Sequence, residues 1–220
     1  MFSDSTLELI VKSLPQIFKG AMITLQTSLC VLAISLVLGL LFGIVQSHRL
    51  RKRWISLPID FFVLVIRGTP LFIQVLIANY IVPDLLNIDV SPFVIGVIAL
   101  GLNSTAYVTE IIRSGINGIS VGQWEAGYVL GYNLKKSLLY IIFPQMLRYN
   151  ISTITSELIM LIKETSILAT IGLLELTKIA MNINARHLQP IPIYLVVAAF
   201  YLILTTSITF VSKKLEKVLE

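Results

Sequence analysis

Long apolar runs alternate with shorter polar segments along this chain. Each run is long enough to cross the roughly 30 Å hydrocarbon core of a bilayer as an α-helix. The pattern predicts an all-α integral membrane protein with about five transmembrane helices, at residues 20–46, 56–82, 91–113, about 147–168 and 190–211.

Two other segments are not expected to cross the membrane. Residues 1–19 place apolar side chains at helical spacing with charged ones opposite, which predicts a short amphipathic lead. Residues 169–189 carry Glu175, Lys178 and two further ionisable side chains, too many for a comfortable span. We expect this second segment to form an outer gate or a surface segment.

The basic residues are concentrated beside the apolar runs. The chain has 17 lysines and arginines against 12 acidic residues, with basic clusters at 48–53 and 213–217. By the positive-inside rule both clusters face the cytoplasm, which places the N-terminus outside. Hydrophobic residues make up 56% of the chain and its mean hydropathy is +0.87, so the expected surrounding is a lipid bilayer and not a nucleic acid.

Two of the apolar runs contain features that affect helix packing. Gly39 and Gly43 form a small-xxx-small pair that would let another helix approach closely, although glycine is also frequent in membrane helices generally. The second run is interrupted in its first half by Arg67, Gly68, Thr69 and Pro70. An arginine at this depth is costly unless paired, and the proline removes a backbone hydrogen bond. These residues therefore predict a purposeful helix break.

Polar side chains also occur inside the third and fourth runs. Asn103, Tyr107 and Glu110 fall at i, i+4 and i+7, so they share one helix face, which must look into the protein. Glu157 follows Arg148 by nine residues, about 13 Å along the helix axis and so close to mid-membrane. The alternative for these side chains is hydrogen bonding from helix to helix.

Residue patterns of an enzyme are missing from the sequence. It has no G-x-x-x-x-G-K-[ST] loop, so the chain is not expected to hydrolyse ATP unaided. One cysteine, Cys30, and two histidines, His48 and His187, do not make a metal site. No group of residues has the spacing of a catalytic constellation. We therefore expect no enzymatic activity and no metal or cofactor bound by this chain.

The longest polar interruption, residues 118–145, must lie outside the lipid. Ser120 and Gln123 have the form of a capping box, which predicts a short helix with Val121, Trp124 and Tyr128 on one face. We expect Gly131 to end this helix, Asn133 to cap a second helix, and Pro144 to terminate that second helix. The prediction is a docking surface of two short helices hinged at a glycine; the alternative is an ordinary loop.

The spacing within 118–145 resembles a known motif. The residues in register are Glu125, Ala126, Gly127, Gly131, Ile141, Phe143 and Pro144. They closely resemble the EAA motif of importer-type ABC transporter permeases, with Gly127 in place of the usual alanine and Phe143 in place of leucine. The resemblance implies that 118–145 is a cytoplasmic coupling-helix loop that seats in a groove of an ATPase subunit, with contacts from Glu125, Ala126, Gly127, Gly131 and Pro144.

Further segments extend the resemblance over nearly the whole chain. They are residues 24–26, 67–71, 106–107, 110–111, 122–126, 144–145 and 163–166. Together they look like the polar amino-acid branch of these permeases. That resemblance implies a single permease domain over 1–220 with the type I importer fold, in the inner membrane of a bacterium. It also implies three partners: an identical or related second permease subunit, a dimer of ATPase subunits that binds ATP and Mg²⁺, and an extracytoplasmic binding protein for a polar or charged amino acid.

The resemblance leaves the substrate pathway open. It favours Asn103, Tyr107, Glu110 and Glu157 as pathway residues, although residues 150–157 depart from the family's usual proline and asparagine. Glu157 would suit the ammonium group of an amino acid, or equally a partner role for Arg67. An ion- or proton-coupled secondary carrier, with Glu110, Glu157 and Glu164 as a relay, is the alternative function, and it would transport without an ATPase. The sequence does not choose among individual amino acids.

Overall fold

The computed structural model describes residues 4–219, and every regular element in that range is helical. This agrees with the predicted all-α class. The α-helices are α1 (Asp4–Gln46), α2 (Arg53–Gly68), α3 (Leu71–Leu76), α4 (Val82–Leu86), α5 (Pro92–Asn117), α6 (Val121–Val129), α7 (Leu134–Ser137), α8 (Phe143–Glu164), α9 (Leu176–His187) and α10 (Pro190–Leu219). Two π-helical turns, Ile77–Ile81 and Leu138–Ile142, and a 3-10 helix, Thr165–Ile171, join some of them.

Three helices are long and apolar enough to cross a membrane within the described range: α1 from Thr6, α5, and α10 as far as Lys214. The broken pair formed by α2 and residues 71–86 makes a fourth candidate. The fourth predicted span lies in α8, which is 22 residues long but carries too many polar side chains to meet the same standard. Each of the five predicted runs thus overlaps a described helix or broken helix pair, and three or four of them are long and apolar enough to cross a membrane.

The boundary expected between an amphipathic lead and the first span does not exist. Helix α1 is 43 residues long and runs unbroken through residues 19 and 20. The reason is packing on both sides of that point: Ile17 and Ala21 are both buried, in a cluster with Leu176 and Ala180 of α9. A helix covered by the same neighbour before and after residue 19 has no cause to end there.

The chain forms two compact units, each with its own hydrophobic core. The first contains residues 4–32, 70–101 and 158–208, and its core joins α1, α9 and α10. The second contains residues 33–69, 102–157 and 209–219, and its core runs from Val108 through Trp124 to Met146. The candidate functional residues from 103 to 145, and Glu157, all belong to this second unit.

The predicted glycine contact is confirmed within the second unit. A Cβ atom on Gly39 would lie 2.6 Å from Cβ of Val108, and one on Gly43 would lie 2.6 Å from Cβ of Ile112. Real side chains do not approach so closely, so only glycine at both positions allows this packing of α1 on α5.

The prediction that residues 169–189 form a surface segment is wrong for its first half. Leu176 and Ala180 are fully buried in the core of the first unit, and so is Glu175. Glu175 tolerates burial because it caps α9: its carboxylate accepts hydrogen bonds from the backbone N–H groups of Thr177 and Lys178, at 2.9 and 2.7 Å, and from the hydroxyl of Tyr201 at 2.8 Å.

Candidate functional site

Helix α6 begins at the predicted place without the predicted cap. Ser120 is the N-cap residue, but its side chain makes no capping hydrogen bond, so the capping box is wrong. The side chain of Gln123 is engaged elsewhere: its Oε1 accepts a hydrogen bond from Nε2 of Gln145 at 3.1 Å. A contact between residues 22 positions apart has therefore replaced the local one.

The predicted end of α6 at Gly131 is confirmed. Gly131 has a φ of +75°, its N–H donates to Tyr128 O at 2.9 Å, and the N–H of Tyr132 donates to Gly127 O at 2.9 Å. These two bonds form a Schellman motif, in which glycine avoids the strain of a left-handed conformation. The predicted cap of the second helix is also present, because Oδ1 of Asn133 accepts from the N–H of Lys136 at 2.9 Å.

Pro144 does not terminate the second helix, contrary to the prediction. Helix α7 ends at Ser137, a π-helical turn follows, and α8 begins at Phe143 and continues through Pro144 for 22 residues. The N–H of Phe143 donates to Leu138 O, five residues back. A proline inside a helix displaces the carbonyl four residues before it, and the wider π turn supplies the room for that displacement.

The residues of α6 divide sharply between the core and the surface. Trp124 is only 3% exposed and packs with Ile116 of α5 and Met146 of α8. Val121 and Tyr128, predicted to lie on one face with Trp124, are instead exposed. Among the exposed residues, five apolar ones and one carboxylate make up what we call the α6 surface: Val121, Glu125, Ala126, Tyr128, Val129 and Leu130.

The loop between α1 and α2 anchors α6 from a second direction. The guanidinium group of Arg49 lies over the ring of Trp124, 5.3 Å from its centroid. The N–H of His48 donates to Oδ1 of Asn117 at the end of α5, at 3.0 Å. The sequence did not identify these residues as partners, since 75 positions separate Arg49 from Trp124. The one available signal was that both segments were assigned to the cytoplasmic side.

The helix break at residues 67–70 is confirmed. Helix α2 ends at Gly68, Thr69 and Pro70 are extended, and α3 begins at Leu71. Arg67, the last basic residue of α2, lies 3.7 Å from the carboxylate of Glu110 and 5.4 Å from the ring centroid of Tyr107. Two of the residues predicted to share a face of α5 thus contact the arginine at the break.

Glu110 bridges two cations and Glu157 binds none. The Glu110 carboxylate accepts hydrogen bonds from Nε and Nη2 of Arg113, at 3.1 and 2.6 Å, in addition to the ion pair with Arg67. Glu157 is half-buried and accepts a hydrogen bond from the hydroxyl of Ser104 at 2.8 Å. Glu157 was predicted either to receive a cationic group of the substrate or to pair with Arg67. Arg67 pairs with Glu110 and not with Glu157.

The two carboxylates in this region differ in their partners. Glu157 has only the hydroxyl of Ser104 as its described partner, whereas Glu110 is already paired with two arginines. Asn103 is buried beside Ser104 on α5, at 4% exposure. Within residues 4–219 no cation forms an ion pair with the Glu157 carboxylate, so its charge is available to a cationic group. In residues 4–219, no three His, Cys, Asp or Glu side chains are grouped closely enough to hold a metal ion.

Comparison with known proteins gives relatives over almost the full length of the chain. It is 35% identical over 207 residues to the glutamine transport system permease protein GlnP of Escherichia coli strain K12, covering 93% of each. It is 35% identical over 214 residues to the arginine transport system permease protein ArtQ of Bacillus subtilis, covering 96% of this chain and 95% of ArtQ. The L-cystine transport system permease protein TcyB of Bacillus subtilis is also 35% identical, over 94% of this chain and 87% of TcyB.

Solved structures give the same fold. An amino acid ABC transporter crystallised with histidines matches with a TM-score of 0.87 and 31% identity over 99% of both chains. The MetNI methionine ABC transporter, in an inward-facing conformation, matches with a TM-score of 0.72 at 15% identity, which shows the fold alone. The family model of binding-protein-dependent transport system inner membrane components matches residues 35–219. The chain belongs to this family of inner-membrane permease components.

Proposed function

We propose that this chain is the permease subunit of an ATP-driven importer that moves a polar or charged amino acid into the cytoplasm by alternating access. In this proposal ATP and Mg²⁺ bind to a separate pair of ATPase subunits, and this chain binds no cofactor. A second permease subunit completes the pathway, and an extracytoplasmic binding protein delivers the cargo. The membrane is the bacterial cytoplasmic membrane. The observation that carries the proposal is the α6 surface, which is apolar, exposed and held on a buried anchor.

The coupling role of residues 118–145 is supported by what α6 contacts on its two sides. Its outer side leaves Val129 88% exposed next to the carboxylate of Glu125, which is suited to a partner with an apolar groove and a basic group. Its inner side inserts Trp124 between α5 and α8. A push on the α6 surface would therefore move α5 and α8, which carry the polar residues Tyr107, Glu110 and Glu157.

The substrate proposal rests on the relatives and on the polar residues of α5 and α8. The permease relatives are named for glutamine, arginine and cystine, all amino acids with polar or charged side chains. We place Asn103, Tyr107, Glu110 and Glu157 along the substrate pathway, with Glu157 as the residue that receives a cationic group. Arg67 holds Glu110 in place at the helix break and so is a positioning residue.

The coupling proposal is tested by co-purification of the full chain with its ATPase subunit. Glu125→Lys and Val129→Asp should each reduce retained ATPase and ATP-dependent uptake at least tenfold, because they place charge or reversed charge on the α6 surface. Leu85→Asp is the matched control: Leu85 is also highly exposed, at 77% against 88% for Val129, but lies in α4, outside residues 118–145. Full ATPase retention in both α6 variants would refute the coupling role.

Uptake by the purified chain alone distinguishes the importer from a secondary carrier. Proteoliposomes with the chain, but without an ATPase, should show no concentrative uptake of any amino acid in a labelled panel. Glu157→Gln should raise KM for the preferred cargo at least tenfold in the full transporter, whereas Glu164→Gln should leave KM unchanged. A carrier with a glutamate relay would instead transport without ATPase and lose activity in both variants.

A further inference from the structure

The N-terminal end of α2 presents basic groups beside an exposed apolar stripe. We propose that this region, formed by His48, Arg51, Lys52, Arg53, Trp54 and Leu57, is a binding site for an anionic phospholipid. In this proposal the lipid phosphate lies against the basic groups and an acyl chain lies along α2. The site shares no residue with the α6 surface or with the polar residues of α5 and α8, and it does not depend on the transport proposal.

The basic groups of this site differ in how far they are neutralised. Arg51 forms an ion pair with Asp60, and the neighbouring Arg49, which is not part of the site, is directed over Trp124. Lys52 and Arg53 are exposed, and neither forms an ion pair with any residue in the range 4–219. Two adjacent cations thus remain free to neutralise an anion at the start of the helix.

A concave surface accompanies Arg53, one of these two free cations. His48, Arg51, Arg53 and Leu57 line a depression of about 470 Å³. Three of its lining side chains are basic or titratable and the fourth is apolar, so the depression joins a cationic rim to a hydrophobic wall. A phospholipid has the same arrangement, with an anionic phosphate directly above the start of its acyl chains.

The apolar stripe continues from this depression along one face of α2. Trp54, Leu57, Phe61 and Leu64 recur at helical spacing, and each is more than half exposed, with Trp54 at 90%. Ten residues of α-helix extend about 15 Å, which is half of the roughly 30 Å hydrocarbon core. The length of the stripe therefore matches the thickness of one leaflet. Trp54 lies at the end of the stripe next to the basic residues, and tryptophan is enriched at the membrane interface.

The length and direction of the stripe favour a lipid over an acidic protein partner. A soluble partner could neutralise Lys52 and Arg53 but could not follow Phe61 and Leu64 into the bilayer. An anionic lipid satisfies the charge and the apolar face together. Zwitterionic lipids would cover the stripe equally well, so the two free cations determine the preference for an anionic headgroup.

The test uses the full-length chain purified in detergent with equal amounts of phosphatidylglycerol and phosphatidylcholine of identical acyl chains. Native mass spectrometry then counts the lipids retained. Wild type should retain phosphatidylglycerol preferentially, and Lys52→Gln/Arg53→Gln should reduce that preference roughly thirtyfold, about fivefold for each cation. Lys52→Arg/Arg53→Lys, which keeps both charges, should behave as wild type and shows that the site and not the fold is affected.

Lys135→Gln/Lys136→Gln is the matched control, since it removes two adjacent cations from α7. The proposal is supported if this control keeps the wild-type preference. An equal loss of preference in the control variant, or an unchanged preference in Lys52→Gln/Arg53→Gln, would overturn it. Loss of ATPase association in Lys52→Gln/Arg53→Gln with unchanged lipid preference would also overturn it and would assign the cations to a protein partner.

Discussion

Replacing Gly127 by alanine would restore the residue usual in the EAA motif, yet the structure predicts that it destabilises this chain. A Cβ atom at position 127 would lie 2.5 Å from Oγ of Ser137, 3.1 Å from its Cβ and 3.2 Å from Cδ1 of Ile141. Ser137 is fully buried, and its hydroxyl has no hydrogen-bond partner in the part of the chain that the structure describes. The contact at 2.5 Å must be relieved by rotation of the buried Ser137 hydroxyl or by movement of α6 or α7, and the contacts at 3.1 and 3.2 Å add to the overpacking.

Two opposing terms set the size of this effect. Alanine gains about 1 kcal/mol over glycine in a helix interior, whereas overpacking a buried site costs typically about 1–3 kcal/mol. The net change for Gly127→Ala is a destabilisation of up to about 2 kcal/mol. Gly122→Ala, in the same helix with no atom within 4 Å of the new Cβ, keeps the gain alone. The two variants should therefore shift stability in opposite directions.

Thermal unfolding of the purified chain measures the difference. For a domain of this size, each kcal/mol corresponds to a midpoint shift of roughly 2–4 °C. Gly122→Ala should raise the midpoint and Gly127→Ala should lower it. Because Ser137→Ala removes the hydroxyl at 2.5 Å, Gly127→Ala should cost at least about 1 kcal/mol less in that background. A midpoint for Gly127→Ala that rises as much as for Gly122→Ala while Ser137 is present would refute the packing argument.

Three further predictions follow from local contacts. Asn133→Ala should destabilise the chain by about 1 kcal/mol through loss of the cap on α7, whereas Ser120→Ala, whose side chain caps nothing, should stay within about 0.5 kcal/mol in the same thermal assay. Gly43→Ala should lower the midpoint despite its helix propensity, because its Cβ would meet the backbone Thr109 O at 2.8 Å; an increase would contradict the described packing. Arg49→Gln should speed hydrogen exchange in residues 121–129 several-fold, since α6 loses its cation–π anchor, while Arg53→Gln should leave exchange there unchanged.

Features controlled by neighbouring residues could be predicted from the sequence. Gly131 and Asn133 act through hydrogen bonds to residues within five positions, and both were identified correctly. Gly39 and Gly43 were identified as a contact surface because their spacing shows it, although their partners on α5 could not be read. The break at residues 67–70 was equally clear, since Pro70 removes a backbone hydrogen bond and disfavours a helical conformation at Thr69, next to a glycine.

Features that depend on distant residues could not be predicted. Gln123 forms a hydrogen bond with Gln145 and not the predicted capping box. Trp124 is buried beneath Arg49, although helical periodicity alone grouped it with Val121 and Tyr128, which are exposed. Glu175 was interpreted as a surface charge because the sequence does not show that three hydrogen-bond donors surround it. The prediction for Pro144 is wrong for a local reason. Whether this proline ends a helix depends on the width of the turn before it, and the sequence pattern does not show that this turn is π-helical.

The π-helical turn at Leu138–Ile142 also determines the direction in which the α6 surface points. Each α-helical residue rotates the chain by 100° about the helix axis. The turn contains one residue more than an α-helical turn. It therefore rotates α7 and the helix before it, α6, about the helix axis relative to α8. With that shift, Leu138, Ile142 and Met146 all remain buried on one side. Removal of a single residue there would re-aim α7 and α6 by about one residue's rotation while leaving every motif residue of 125–131 intact.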